Sequence, residues 1–195
     1  MQQPAPDAWR LLEERYPAHD GLNLCFETRE GILKHCSRRH AEQLLHLEPD
    51  GVGLRFVNGT QPSLEAQLCN LADEIAYNAH DIDDGVRSGL LTLQQLDGVA
   101  LFASCRDEAQ AEFPELAGRR LLFDAIRRML SRQVHDVIEA SRAALEAAAP
   151  ANPRAVRALQ PLLRFSGAMQ AQSTQLKGFL HRHLYRHHQV VETTN

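Results

Sequence analysis

Strand-like alternation is nearly absent from this sequence, and each further absence closes a class. Without sustained period-two patterning the expected fold is all-α. No stretch approaches the roughly 18 uninterrupted apolar residues that a membrane-spanning helix needs, so a membrane partner is not expected. Residues 1 to 8 carry no basic start followed by an apolar run, which leaves the expectation of no signal peptide and a cytoplasmic protein. The cysteines at 25, 36, 69 and 105 form no Cys-x-x-Cys pair and sit in helix-like sequence, so buried free thiols in a reducing compartment are expected. No internal repeat occurs, and low complexity is confined to an alanine-rich stretch near 143 to 151. A net charge of -4 gives no general reason to expect nucleic acid or an anionic membrane.

What is present supports one core. The chain has 195 residues, 44% of them apolar, and reads as a single helical domain over 1-195, with 1-8 disordered. Asp7 can cap a short helix ending before Pro17, and a second short helix contains Lys34 and His35. Residues 37 to 47 form a helix with Leu44, Leu45 and Leu47 buried. Residues 48 to 62 read as a loop or short hairpin around Leu54 to Val57. Thr92 and Gln95 form a capping box opening a helix that bears Leu93, Leu96, Val99 and Phe102. A long helix over about 118 to 146 carries Leu122, Ile126, Met129, Leu130, Val134, Val137 and Ile138 on one stripe. Arg119, Arg120, Arg127, Arg128 and Arg132 lie on its other face, either solvated or available to triphosphate or a neighbouring subunit. Prolines at 150, 153 and 161 break the chain before a last helix over about 166 to 187.

The most informative stretch is Ser63 to Gly89. At about 100° per residue Leu64, Leu68, Leu71, Ile75 and Ile82 share one stripe, opposite Asn70, Asp73, Tyr77, Asp81 and Asp84. Ser63 suits an N-cap, Glu65 complements the helix dipole, and Gly85 is expected to stop a helix over 64 to 84. A solvated face is the plain reading of the polar side. Against it stand Tyr77 between aspartates and a line of carboxylates whose repulsion a cation or donor-rich ligand would relieve.

The run Leu71-Ala-Asp-Glu-Ile-Ala-Tyr-Asn-Ala-His-Asp-Ile-Asp-Asp-Gly85, flanked by Pro62-Ser-Leu-Glu-Ala-Gln67 and Arg87-Ser-Gly-Leu90, resembles the deoxyguanosine-triphosphate triphosphohydrolase (dGTPase-like) branch of the HD-domain phosphohydrolases. Leu12-Glu-Glu-Arg-Tyr-Pro17, Asp20 to His35, Leu176 to Leu180 and Leu184 to His187 carry it further, so it covers roughly residues 11 to 190 in patches. The resemblance implies a helical HD-like bundle and hydrolysis of a deoxynucleoside triphosphate to deoxynucleoside and triphosphate. It also implies a divalent metal such as Mg or Mn and a homo-oligomer. It assigns Asp73 to the distant metal carboxylate, Tyr77 to packing against the sugar so as to disfavour a 2'-hydroxyl, and Asp81 to accepting from the 3'-hydroxyl. These three lie within about 80° on the helix, successive side chains about 6 Å apart.

In that family the first histidine, the His-Asp dyad and the catalytic segment precede the Leu-Glu-Glu-Arg-Tyr-Pro run, which here has about ten residues before it. The chain therefore reads as the C-terminal half of such an enzyme, incomplete as an HD bundle, with no catalytic residue of its own. Alone it is expected neither to hold the metal tightly nor to turn over nucleotide, because a divalent ion needs several convergent ligands. The His-Asp dipeptides at 19, 80 and 135 sit where the resemblance places other elements. His183 and His187, at i, i+4, can grip zinc or simply cap a basic helix end. A non-catalytic nucleotide-sensing or oligomerisation module is the alternative, and nucleic-acid binding through the basic C-terminal helix a weaker one.

Overall fold

The computed structural model describes residues 24–33 and 36–187. The helix expected to end before Pro17, the disorder expected at 1-8, His19-Asp20, Lys34 and His35 lie outside the described residues. Among the described residues all regular structure is helical, as the sequence requires: α1 Phe26–Ile32, α2 Arg38–Leu47, α3 Gly53–Asn58, α4 Leu64–Arg87, α5 Leu93–Leu96, α6 Ala100–Glu112, α7 Gly118–Ala148, α8 Pro153–Ala158 and α9 Gly167–Leu180. One π-helical turn, His181–Tyr185, follows α9. The chain divides into two compact units, one made of residues up to Leu68 with Ala149–Leu162, the other of Cys69–Ala148 with residues from Leu163 onward.

In the first unit Leu33, Leu44 and Val52 form a small core against which Cys36 and Phe56 pack. Ser37 caps α2 by accepting from the His40 backbone N–H at 3.2 Å. Ala41 and Leu44 face inward, but Leu47, expected to be buried, is 49% exposed because it lies a third of a turn or more from both. The segment around Leu54 is not a hairpin. It is α3, set so close to α2 that a Cβ on Gly53 would sit 2.8 Å from the Ala41 carbonyl oxygen. Glu30 is wholly buried and takes a hydrogen bond from Arg157 Nη1 at 2.5 Å, with Arg55 Nε 2.9 Å from the same carboxylate oxygen. Burial pushes the Arg55 guanidinium below its ordinary range, opposed by the Glu30 charge.

The second unit has the larger core. Ile75 and Ile82 of α4, Phe102 of α6, Met129 of α7 and Leu176 and Leu180 of α9 lie within it. The Thr92 and Gln95 capping box forms as expected, the threonine hydroxyl accepting from Gln95 N at 3.2 Å and Gln95 Oε1 from Thr92 N at 2.8 Å. The helix it opens stops at Leu96, however, and α6 starts anew at Ala100. The Gln175 side chain holds the break, accepting from Ala100 N and donating to the Gly98 carbonyl, both at 3.2 Å. Gly85 does not stop α4 either. It lies inside the helix, where a Cβ would come 2.6 Å from Leu91 Cδ1.

On α7 the buried line runs through Met129, Gln133, Val137 and Ser141. Val134 and Ile138, placed inward by the hydrophobic stripe, are 46% and 47% exposed. Met169, Leu176, Phe179, Leu180 and Leu184 are buried as expected, but α9 ends at Leu180 and its continuation is the π turn. All four cysteines are free thiols, yet only Cys105 is buried; Cys25 and Cys69 are exposed. Burial pushes the Cys105 thiol up.

Candidate functional site

Helix α4 begins where the Ser63 hydroxyl accepts from Ala66 N at 3.3 Å, and the backbone and Ser63 hold the Glu65 carboxyl below its usual range. Its buried side is Ile75, Asn78, Ala79 and Ile82. Leu68, read as core, is 50% exposed. Asp73 and Tyr77 lie on the outer face, the tyrosine 57% exposed, and Asp81 is half-buried.

The structure adds a group to these three. Tyr185, on the π turn, donates its hydroxyl to Asp81 Oδ2 across 104 residues of sequence. Burial raises the Tyr185 hydroxyl far above its ordinary range, the hydrogen bond to Asp81 and that carboxylate's charge raise it further, and Tyr77 contributes as well. Tyr77, Asp81 and Tyr185 therefore form one polar aromatic cluster. Burial also pushes the Asp81 carboxyl up, with the Asp84 charge in the same direction and Tyr185 and His80 opposed. Tyr185 stood in the sequence only as part of the Leu184 to His187 piece, and no local pattern ties it to Asp81.

The neighbouring carboxylates have their own partners. Glu74 accepts from Ser173 Oγ at 2.8 Å and pairs with Lys177 at 3.0 Å. Arg87 bridges Asp83 at 3.0 Å and Asp84 at 2.6 Å. Much of the carboxylate repulsion on this helix is thus relieved by the protein's own cations and hydroxyls.

The remaining candidates take structural roles. Asp136 accepts from Ser166 N at 2.8 Å and Ser166 Oγ at 2.6 Å, fixing the residue that caps α9. His135 Nδ1 lies 2.7 Å from the Ser131 carbonyl oxygen, and the His183 ring sits 4.6 Å from Phe179. Arg127 and Arg128 pair with Asp124, Arg128 also with Glu112, and Arg132 with Glu108. Arg119 lies 5.0 Å from the Phe123 ring centre. Among the described residues no group of three or more histidine, cysteine, aspartate or glutamate side chains could hold a metal ion. A divalent cation needs more donors than Asp73 provides, so the described residues do not by themselves fit one.

No known family profile matches the chain. It is 56% identical over 180 residues to a deoxyguanosinetriphosphate triphosphohydrolase-like protein of Ralstonia nicotianae, covering 92% of this chain and 45% of that protein. A protein of the same description from Azoarcus is 53% identical over 185 residues, 95% of this chain and 48% of its own length. That of Nitrosomonas europaea is 46% identical over 185 residues, with the same shares. The chain spans about half the length of the curated relatives it matches.

Proposed function

We propose, from a kinship with deoxyguanosinetriphosphate triphosphohydrolase-like proteins that runs through 92% or more of this chain, that α4 forms the sugar-facing wall of a deoxynucleoside-triphosphate triphosphohydrolase site. The reaction is hydrolysis of dGTP or a related dNTP to deoxynucleoside and triphosphate, with water attacking the α-phosphate. The cluster of Tyr77, Asp81 and Tyr185 is the observation that carries the reading.

A carboxylate with about four lone-pair sites can take the Tyr185 hydroxyl and still accept from a sugar 3'-hydroxyl. Tyr185 would fix the direction of the remaining acceptor, since a held carboxylate binds a hydroxyl at lower entropic cost than a rotating one. The exposed Tyr77 ring offers an apolar face to deoxyribose, against which a 2'-hydroxyl would lose water without gaining a partner. Asp73 is one candidate ligand of a divalent metal, Mg or Mn. Because the described donors do not make a site, no step is assigned to the ion.

The test joins the 195-residue chain to the portion of the Ralstonia relative that it does not span. Release of triphosphate from dGTP and dATP is then followed with Mn²⁺ or Mg²⁺. Turnover is expected with the complement and not with the chain alone. Asp73→Ala is expected to abolish it, and Tyr77→Ala to relax discrimination against ribonucleotides; full activity of the Asp73 variant would refute the ligand role. The donor set favours a second reading, a non-catalytic nucleotide-sensing module, which predicts dNTP binding with no turnover even when complemented.

A further inference from the structure

Helix α7 has 31 residues and runs for about 46 Å. Along it Phe123, Val134 and Ile138 are 44%, 46% and 47% exposed, with Leu130 half-buried between them. The four fall within about 80° on the helix, so they make a continuous apolar stripe rather than scattered surface residues.

The charges beside the stripe say what covers it. Counted outward from residue 133, Arg120 mirrors Glu146, Asp124 mirrors Arg142, and Arg127 mirrors Glu139. Each pair is of opposite sign. Turning the helix end for end about an axis at residue 133 therefore sets every one of these charges against its opposite. That is the self-complementarity an isologous two-fold contact requires. Antiparallel alignment also brings the positive end of one helix dipole to the negative end of the other. Arg120 and Glu146 are exposed and have no partner among the described residues, while Arg127 pairs with Asp124 and Arg142 with Glu139 in their own helix.

We propose that α7 packs antiparallel against α7 of a second copy of this chain, across a two-fold axis near residue 133. Val134 and Ile138 lie near the axis, Arg120 and Glu146 at the rim. The nucleotide-site reading plays no part in this, and either can fail without the other. One helix-on-helix contact is at the small end of specific interfaces, so the dimer dissociates on dilution.

Sedimentation equilibrium of the 195-residue chain over a micromolar concentration series tests it, with far-ultraviolet circular dichroism to confirm that each variant keeps its helix content. Wild type is expected to show a monomer–dimer equilibrium. Ile138→Asp should weaken association by about 100-fold, because a carboxylate is desolvated in the contact. Arg120→Glu and Glu146→Arg should each weaken it by about 10-fold, and the double variant should restore it. A monomer at every concentration would overturn the proposal, as it would if another protein or a further stretch of a longer chain covers the stripe. A dimer indifferent to Ile138→Asp, or charge swaps that fail to rescue one another, would overturn it equally.

Discussion

Asp81 is held in a setting that costs its own ionisation. Burial outweighs the Tyr185 hydrogen bond, so its carboxyl titrates above the ordinary value of 3.8. The folded state then keeps the proton to higher pH than the unfolded state does. Its stabilising effect is accordingly largest in acid and declines as pH rises from about 3.8 through the folded value, leaving a penalty at neutrality. Asp81→Asn is expected to raise the urea midpoint at pH 7 and to flatten the dependence of stability on pH in the mildly acid range. A lowered midpoint at pH 7 would show that Asp81 is held for structure. Glu30 stands in the opposite position, wholly buried between Arg55 and Arg157, whose side chains are only 12% and 22% exposed. Glu30→Ala strands two cations and is expected to cost about 3 kcal/mol in urea unfolding.

Helix ends and close approaches decide the behaviour of the elements. Gly85 lets Leu91 pack onto α4, and Leu91 N closes a 2.8 Å hydrogen bond on the Gly85 carbonyl. Although alanine has the better helix propensity, Gly85→Ala is expected to destabilise by about 1–3 kcal/mol, because the new methyl overlaps Leu91. A gain in melting temperature would mean that Leu91 has room to move. Asp136→Ala, which frees Ser166 from its two hydrogen bonds, is expected to lower stability by about 1–3 kcal/mol. Native-state hydrogen exchange should place the loss at the start of α9.

For the molecule as a whole, the donor set and the relatives' length meet in one expectation. With no group of three candidate ligands among the described residues and about half of each relative's length spanned, the 195-residue chain dialysed against Mn²⁺ is expected to retain far less than one equivalent. Joined to the complementary portion of a relative, it is expected to retain stoichiometric metal, and Asp73→Ala to remove most of it. Elemental analysis of the dialysed proteins reads both outcomes without an activity assay.

The sequence by itself determined what local physics can specify. Amphipathic period placed α4, α7 and α9, and hydroxyl caps marked the starts at Ser63 and Thr92, because backbone hydrogen bonding and capping act within a turn or two. The all-α class and the inward face of Ile75, Ile82, Met169 and Leu176 followed from the same periodicity. Tertiary structure decided where surfaces meet. It buried Gln133 and left Val134 and Ile138 exposed, since a helical stripe fixes an angle and not the neighbour that covers it. It turned Leu54 to Val57 into a helix on the Gly53 approach, and it broke the chain at Gly98 because Gln175 replaces the missing backbone partners. The same limit applies to the candidate site. Asp73, Tyr77 and Asp81 share a helix face by spacing alone, but Tyr185 joins Asp81 only when two segments 104 residues apart come together, and no sequence window holds both.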